Sequence, residues 1–224
     1  MWNSGWDKIF KDNEWGKYPC EELIRFISRK FHVSKNRKII KILEVGCGAG
    51  ANIWFLSREG FDVYGVDGSK YALKKAQKLL FVEKLNAKLE LNDIMSLPFP
   101  DNMFDCVIDV ECIYANSLED SKIILEEIFR VLKPSGWFYS KTFATGMTGE
   151  TTGLKLNNEP NTYLEMEDGP LRKDYGIIRL TAEEEIRQIY HLFDNLEYDF
   201  IHRSDKNREF LIKEWIITAQ KVLS

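Results

Sequence analysis

The stretch Lys38-Ile39-Ile40-Lys41-Ile42-Leu43-Glu44-Val45-Gly46-Cys47-Gly48-Ala49-Gly50 decides the fold. From Lys38 to Val45 it is mostly apolar, as a buried strand requires. Gly46 to Gly50 form a glycine-rich turn, and Ala51 to Glu59 read as a helix closed by Gly60. Such a turn suits a ligand that lies against backbone. Missing side chains let the ligand approach, and free amide N–H groups face it. Taken alone, Gly46-x-Gly48-x-x-Ala51 also satisfies a dinucleotide-binding pattern, and it equally describes a tight turn with no ligand.

Downstream the chain alternates between strand and helix. Phe61 to Val66 is a second strand. Ser69 caps a helix whose apolar face is Ala72, Ala76, Leu79 and Leu80. Lys88 to Leu91 gives a short third strand, and a loop holding Pro98 and Pro100 leads to a strongly apolar fourth, Phe104 to Val110. Ser117 to Leu132 is a helix with Ile124, Ile128, Val131 and Leu132 on one face. Lys133-Pro134-Ser135-Gly136 is a turn, and Trp137 to Phe143 is the fifth strand. This alternation implies a Rossmann-like, doubly wound α/β fold: a mostly parallel sheet with helices on both faces and right-handed crossovers.

The flanks are less regular. The first segment, to about Pro19, is rich in aromatic residues (Trp6, Phe10, Trp15, Tyr18) and has no clean period. A helix follows with Leu23, Ile24, Ile27 and Phe31 on its apolar side. Residues 144–180 are rich in Gly, Thr, Asn and Glu. So long an irregular stretch inside a compact domain is usually functional or mobile. Thr181-Ala182-Glu183-Glu184 fits a capping box for a helix with Ile186, Ile189, Tyr190 and Phe193 on its apolar face. Two strands, Leu196–His202 and Phe210–Ala219, close the chain as a hairpin. The expected organisation is a single domain: an N-terminal segment and helix (1–36), a ligand-binding core (37–143), a substrate-side insertion (144–180) and a closing helix and hairpin (181–224).

Bulk properties narrow the class. The chain has 224 residues, 44% of them hydrophobic and 29% charged, an ordinary globular balance. Its formal net charge of -4 argues against nucleic acid as partner. No apolar run reaches the length of a membrane span, and the N-terminus lacks an apolar signal core. A cytoplasmic location is the expectation. Cys20, Cys47, Cys106 and Cys112 form no C-x-x-C pair, and His is scarce, so no metal site is expected.

Three strand ends carry candidate chemistry. Asp67 follows the glycine turn by about 20 residues, where an acid accepts both ribose hydroxyls and repels a 2′-phosphate. Asn92-Asp93-Ile94 follows the third strand. An acid there accepts from an adenine amino group while a backbone N–H reads a ring nitrogen. Asp109-Val110-Glu111-Cys112-Ile113-Tyr114-Ala115-Asn116 ends the fourth strand, at the sheet edge where open α/β folds bind ligands.

Together these pieces resemble class I S-adenosylmethionine-dependent methyltransferases over about Ile40 to Phe143. ILEVGCGAG resembles the family's first motif and VYGVDGS its acidic second strand. NDIMSLPFPDNMFDCVIDV resembles the adenine-contacting loop running into strand four, and EEIFRVLKPSGWFYSKTF the helix, turn and fifth strand. The resemblance implies a seven-stranded sheet with an antiparallel last strand and S-adenosylmethionine as cofactor. It implies that Glu44 sits near the methionine moiety or braces the glycine loop, and that Gly46, Cys47 and Gly48 line the cofactor. Asp67 and Gly68 would hold ribose, Asp93 and Ile94 adenine, and Asp109 and Val110 the methionine end. Two departures stand out. Tyr114-Ala115-Asn116 replaces the His that many relatives carry after strand four, and Pro-Ser-Gly replaces Pro-Gly-Gly.

For methyl transfer the protein must place a nucleophile in line with the methyl group. A base is needed only for an acceptor that is a poor nucleophile at neutral pH. Glu111, Tyr114 and His191 are the catalytic candidates. Trp15, Tyr18, Tyr163 and Tyr175 are substrate-side candidates, in a lid formed by the aromatic N-terminus and residues 144–180. A small-molecule acceptor is expected. A NAD-dependent oxidoreductase and a non-catalytic cofactor-binding module remain as alternatives.

Overall fold

The computed structural model describes residues 3–171 and 175–222. The remaining positions of the N-terminal segment, the 144–180 stretch and the closing segment lie outside the described residues. The elements run α1 (Gly5–Asp12), α2 (Glu21–Phe31), β1 (Lys41–Val45), α3 (Ala51–Arg58), β2 (Asp62–Asp67), α4 (Lys70–Glu83), β3 (Lys88–Leu91), β4 (Phe104–Val110), α5 (Leu118–Val131) and β5 (Leu132–Phe143). After a small unit of β6 (Leu154–Lys155), β7 (Thr162–Leu164) and β8 (Ile178–Arg179) come α6 (Glu183–Ile189), β9 (Asp194–Asp205) and β10 (Phe210–Gln220).

The main sheet has seven strands in the order β3-β2-β1-β4-β5-β10-β9. β1 to β5 are parallel, and β10 runs antiparallel to both neighbours. The order reverses between β1 and β4, so a topological switch point opens at their carboxyl ends. β4 is the buried centre, and its run FDCVIDV is apolar on both faces for that reason. One face carries Leu43, Val45, Phe104, Val107 and Phe138 under α5 and α6. The other carries Ile42, Cys106, Ile108 and Tyr139 under α2, α3 and α4. Ile124, Leu125, Ile128 and Val131 of α5 are fully buried. At about 1.5–3 kcal/mol each, they dominate that helix's stability.

Several expectations need correction. The N-terminal segment holds helix α1, whose only buried residues are Ile9 and Phe10. Trp6, Ile9 and Phe10 stand at i, i+3 and i+4, a helical spacing that was present in the sequence. In α2 the buried face is Leu23, Phe26, Ile27 and Phe31, while Ile24 points outward. Strand β1 starts at Lys41 because Arg37–Ile39 form a short 3-10 turn. The expected turn at Lys133–Gly136 lies inside β5 as an irregularity: pairing jumps from Phe104↔Leu132 to Cys106↔Trp137, with Ser135 at φ 63°. The α6 cap is shifted by one residue. Ala182 N–H donates to Glu185 Oε2 at 3.0 Å, and Ala182 has no side-chain oxygen to complete a box.

Residues 144–180 are more ordered than their composition suggests. β6, β7 and β8 form an antiparallel sheet. Met147, Tyr163, Met166, Leu171, Ile178 and Leu180 pack beneath it, with Tyr114, Phe143 and Ile212. Strands of two or three residues are too short for an alternation to show.

Ser117, read as the first helical residue, is instead the cap of α5: its Oγ accepts the Asp120 N–H at 3.1 Å. Ser117→Ala should lower stability by about 1 kcal/mol, measurable as a shift in the urea midpoint with an unchanged slope.

Candidate active site at the switch point

The loop after β1 needs backbone that side chains resist. Gly46 has φ 64°, and a Cβ there would lie 2.0 Å from Cys112 Sγ. Gly48 has φ 52°, and a Cβ would approach the Phe10 ring to 3.2 Å. The two strand ends flanking the switch point therefore touch through Gly46 and Cys112, and α1 lies against the loop through Phe10.

Asp67 ties the loops together. Its Oδ2 accepts the Gly48 N–H at 2.8 Å and its Oδ1 the Ser69 N–H at 2.7 Å. Burial raises its pKa, and the two amide donors oppose that shift. Ser69 Oγ donates to Asp7 Oδ1 of α1 at 2.6 Å. Below the loop, Asn52 Nδ2 donates to Glu44 Oε1 at 2.6 Å. Glu44 Oε2 is buried with no hydrogen-bond partner. Burial pushes the Glu44 carboxyl well up. A buried carboxyl oxygen left unpaired is costly.

A cavity of about 90 Å³ opens beside this loop. Gly46, Asp67, Gly68, Asp93, Ile94 and Glu111 line it, all of them expected from sequence. Asn3, Trp6 and Phe10 roof it from α1 and the residues before it, and Cys112, Ala115 and Asn116 close the β4 side. Trp6 stacks on Tyr175 with ring centroids 5.2 Å apart, so Tyr175 supports the roof.

Other expected residues stand elsewhere. Glu44, Cys47 and Gly48 lie in the loop and its floor without lining the cavity. Asp109 is fully buried. Its Oδ1 accepts the Cys112 and Ile113 N–H groups at 3.0 and 3.1 Å, and its Oδ2 accepts from Ser140 Oγ at 2.6 Å. The carboxyl thus caps the turn after β4. Burial lifts its pKa to about 6 against those three bonds. Val110 packs toward the α2 face. Tyr114 is buried edge-on against Phe143 at 4.9 Å. His191 is exposed beyond α6, its ring contacting the Gln188 carbonyl at 2.9 Å. Trp15 packs on Phe10, and Tyr18 is an exposed residue against Trp54. Tyr163 donates to Glu150 at 3.0 Å within the small sheet.

Two participants escaped the sequence reading. Lys141, near the carboxyl end of β5, sits 2.7 Å from Glu111 Oε1 and 2.9 Å from Glu214 Oε1 of β10. A charged residue within the apolar runs FYSKTF and FLIKEWII was the available signal.

A doubly wound sheet with an acid-clamped glycine loop at its switch point defines a nucleotide- or adenosyl-binding α/β protein. Comparison with known proteins makes this specific. Residues 43–140 match the family model described as a methyltransferase domain. A sterol 24-C-methyltransferase of Gibberella zeae is 39% identical over 103 residues, 44% of this chain and 26% of that protein. A 2-methyl-6-phytyl-1,4-hydroquinone methyltransferase of Synechocystis is 36% identical over 96 residues, 42% of this chain and 29% of the relative. The alignments thus span under a third of those two relatives. A solved SAM-dependent methyltransferase from Methanosarcina mazei has the same fold, with TM-score 0.71 at 22% identity, covering 84% of this chain and 94% of that one. Residues 43–140 are thus similar to the methyltransferase-domain family, and the fold is that of the solved methyltransferase. The residues at the switch point fit S-adenosylmethionine: a glycine loop that brings backbone to the cavity wall at Gly46, and an acid clamped beside it. No helix among the described residues is long and apolar enough to cross a membrane.

Two outcomes follow. Gly46→Ala places a Cβ inside Cys112 and should cost several kcal/mol, seen as a large loss in thermal midpoint. For Asp109, the folded pKa of about 6 exceeds the unfolded value near 3.9. The folded state holds the extra proton, so this group's contribution to stability falls as pH rises from about 4 to 6. Asp109→Asn mimics the protonated acid. Its stability relative to wild type should improve by up to about 3 kcal/mol between pH 4 and 7, measured by denaturant unfolding at both pH values.

Proposed function

We propose that this chain transfers the methyl group of S-adenosylmethionine to a small organic acceptor. The Asp67 carboxylate, clamped between the Gly48 and Ser69 amides and facing the cavity, carries this reading. It presents a fixed acid to the ribose hydroxyls. Asp93 and Ile94 would hold adenine, and Gly46 to Gly48 would lie along the methionine portion above Glu44. When bound, the cofactor supplies an electrophilic sulfonium methyl, so the hard chemistry is not the protein's. The chain's own task is to orient the acceptor and exclude water. The names of the sterol and hydroquinone relatives support a small apolar acceptor, as do the apolar lining residues Trp6, Phe10, Ile94 and Ala115. The net charge of -4 disfavours nucleic acid as substrate.

The chain is read as one domain, with α1 as a lid. The cavity of about 90 Å³ is well below the roughly 300–1,000 Å³ of ordinary small-molecule sites. Admitting an adenosyl group therefore requires Trp6 and Phe10 to stand further from the glycine loop. Closed over the ligand, their rings would face a cation favourably. Four free thiols suit the reducing cytoplasm.

Calorimetric titration with S-adenosylhomocysteine tests the reading. Wild type should bind it, and NAD should give no heat. Asp67→Ala removes a charged hydrogen-bond acceptor and should weaken binding about 10- to 100-fold. No binding by wild type at millimolar ligand would defeat the proposal.

A further inference from the structure

Glu111 is the residue after β4, and its backbone is left-handed at φ 55°. Such a conformation costs on the order of 1 kcal/mol for a side chain with a Cβ. Its N–H donates to the Lys141 carbonyl at 2.8 Å, which extends the β4–β5 ladder by one step. The side chain lines the cavity and meets the Lys141 ammonium at 2.7 Å. Lys141 is 7% exposed, and its Nζ also lies 2.9 Å from Glu214 Oε1, whose side chain is 1% exposed. Glu214 Oε2 in turn meets Arg203 Nε of β9 at 3.5 Å, and Arg203 is half exposed. A line of alternating acid and base therefore crosses the sheet from the cavity to its far edge.

One carboxylate would be enough to neutralise a buried lysine. Here two carboxyl groups share one ammonium. The second must either keep a proton or lean on Arg203, which is partly screened by solvent. Burial, and then Glu214, raise the proton affinity of Glu111, while Lys141 opposes them. Burial would also raise Glu214, but Lys141 and the hydrogen bond from Glu111 outweigh it and hold Glu214 low. The two acids together keep Lys141 charged despite burial. Glu111 is thus the member of the set that faces the cavity, and its proton affinity is raised. The other titratable groups around it are Tyr114, Asp109 and Cys112, and Cys20 faces Lys141 from the start of α2.

We propose that Glu111 is the proton acceptor in methyl transfer, with Lys141 and Glu214 as residues that position it and set its proton affinity. This rests on the methyl-transfer reading above. In the step, the acceptor atom bonds to the methyl carbon. The bond from sulfur to that carbon breaks with its electron pair kept by sulfur. The acceptor's O–H, N–H or C–H proton passes to the Glu111 carboxylate. The positive charge brought by the sulfonium thus ends as a proton on Glu111. The acceptor class follows: a molecule with a hydrogen to lose, as opposed to a tertiary amine or thioether.

The test uses the full chain labelled with carboxyl-13C glutamate and saturated with S-adenosylhomocysteine, titrated by NMR. Comparison with E111Q assigns the Glu111 signal. Its midpoint should lie above the ordinary glutamate value, move down in E214Q and move up in K141Q. Should K141Q not fold, E214Q decides alone. With S-adenosylmethionine and methylhydroquinone as substrates, E111Q should lose about 100-fold or more in turnover, while its S-adenosylhomocysteine affinity stays within about threefold. A Glu111 midpoint that does not move in E214Q overturns the proposal, as does E111Q turnover equal to that of active wild type. Failure of wild type to bind S-adenosylhomocysteine removes the methyl-transfer reading itself, and the proposal with it.

Discussion

Asp67 accepts one N–H from the loop after β1 and another from the start of α4, and much of the site depends on that pair of bonds. Gly48 supplies an amide that an ordinary residue would hold elsewhere, since its φ of 52° is a left-handed value. Ser69 supplies the other amide, and its hydroxyl reaches both the Ala72 N–H and Asp7. A single carboxylate thereby fixes the glycine loop, the cap of α4 and the seat of α1. Asp67 ends β2, one strand over from the switch point where β1 and β4 part, at the sheet edge where open α/β folds bind ligands.

Much of the core was legible because its signals are local. Strand β4 coincides with the apolar run Phe104–Val110. The cap Ser69 holds the Ala72 amide that its position implies. What stayed hidden depends on partners remote in sequence. The small sheet of β6, β7 and β8 is built from pieces of two and three residues, held by a core that draws on Phe143 and Ile212. Helix α1 carries a helical spacing only at Trp6, Ile9 and Phe10, and its seat is set by remote partners, Phe10 over Gly48 and the Asp7–Ser69 bond.

The strand-end acids show the same limit. From sequence, Asp67 and Asp109 look alike: each sits at or near the carboxyl end of a central strand. The fold gives them different surroundings. Asp67 keeps a side toward the cavity. Asp109 has three donors and no exposure, and works as an internal cap of the turn that sets Cys112 against Gly46. Its contribution to any ligand is through that turn.

The buried Lys141–Glu214 pair is the least expected feature of the sheet, and it lies on the β5–β10 side of the switch point. Lys141 and Glu214 occupy neighbouring strands where apolar residues would pack without the cost of desolvation. Stability alone gives no reason for them. Beside them Glu111 holds a strained backbone, and strain of that kind persists only where surrounding structure over-determines it. The Lys141 carbonyl and ammonium do so together, gripping Glu111 by its N–H and its carboxylate. The Asp67 side of the switch point is thus built from a carboxylate held by backbone amides, and the Glu111 side from a carboxyl group held by a buried ammonium. A cavity between two such walls separates holding a cofactor from handling the acceptor's proton, a division that fits methyl transfer to an acceptor with a hydrogen to lose.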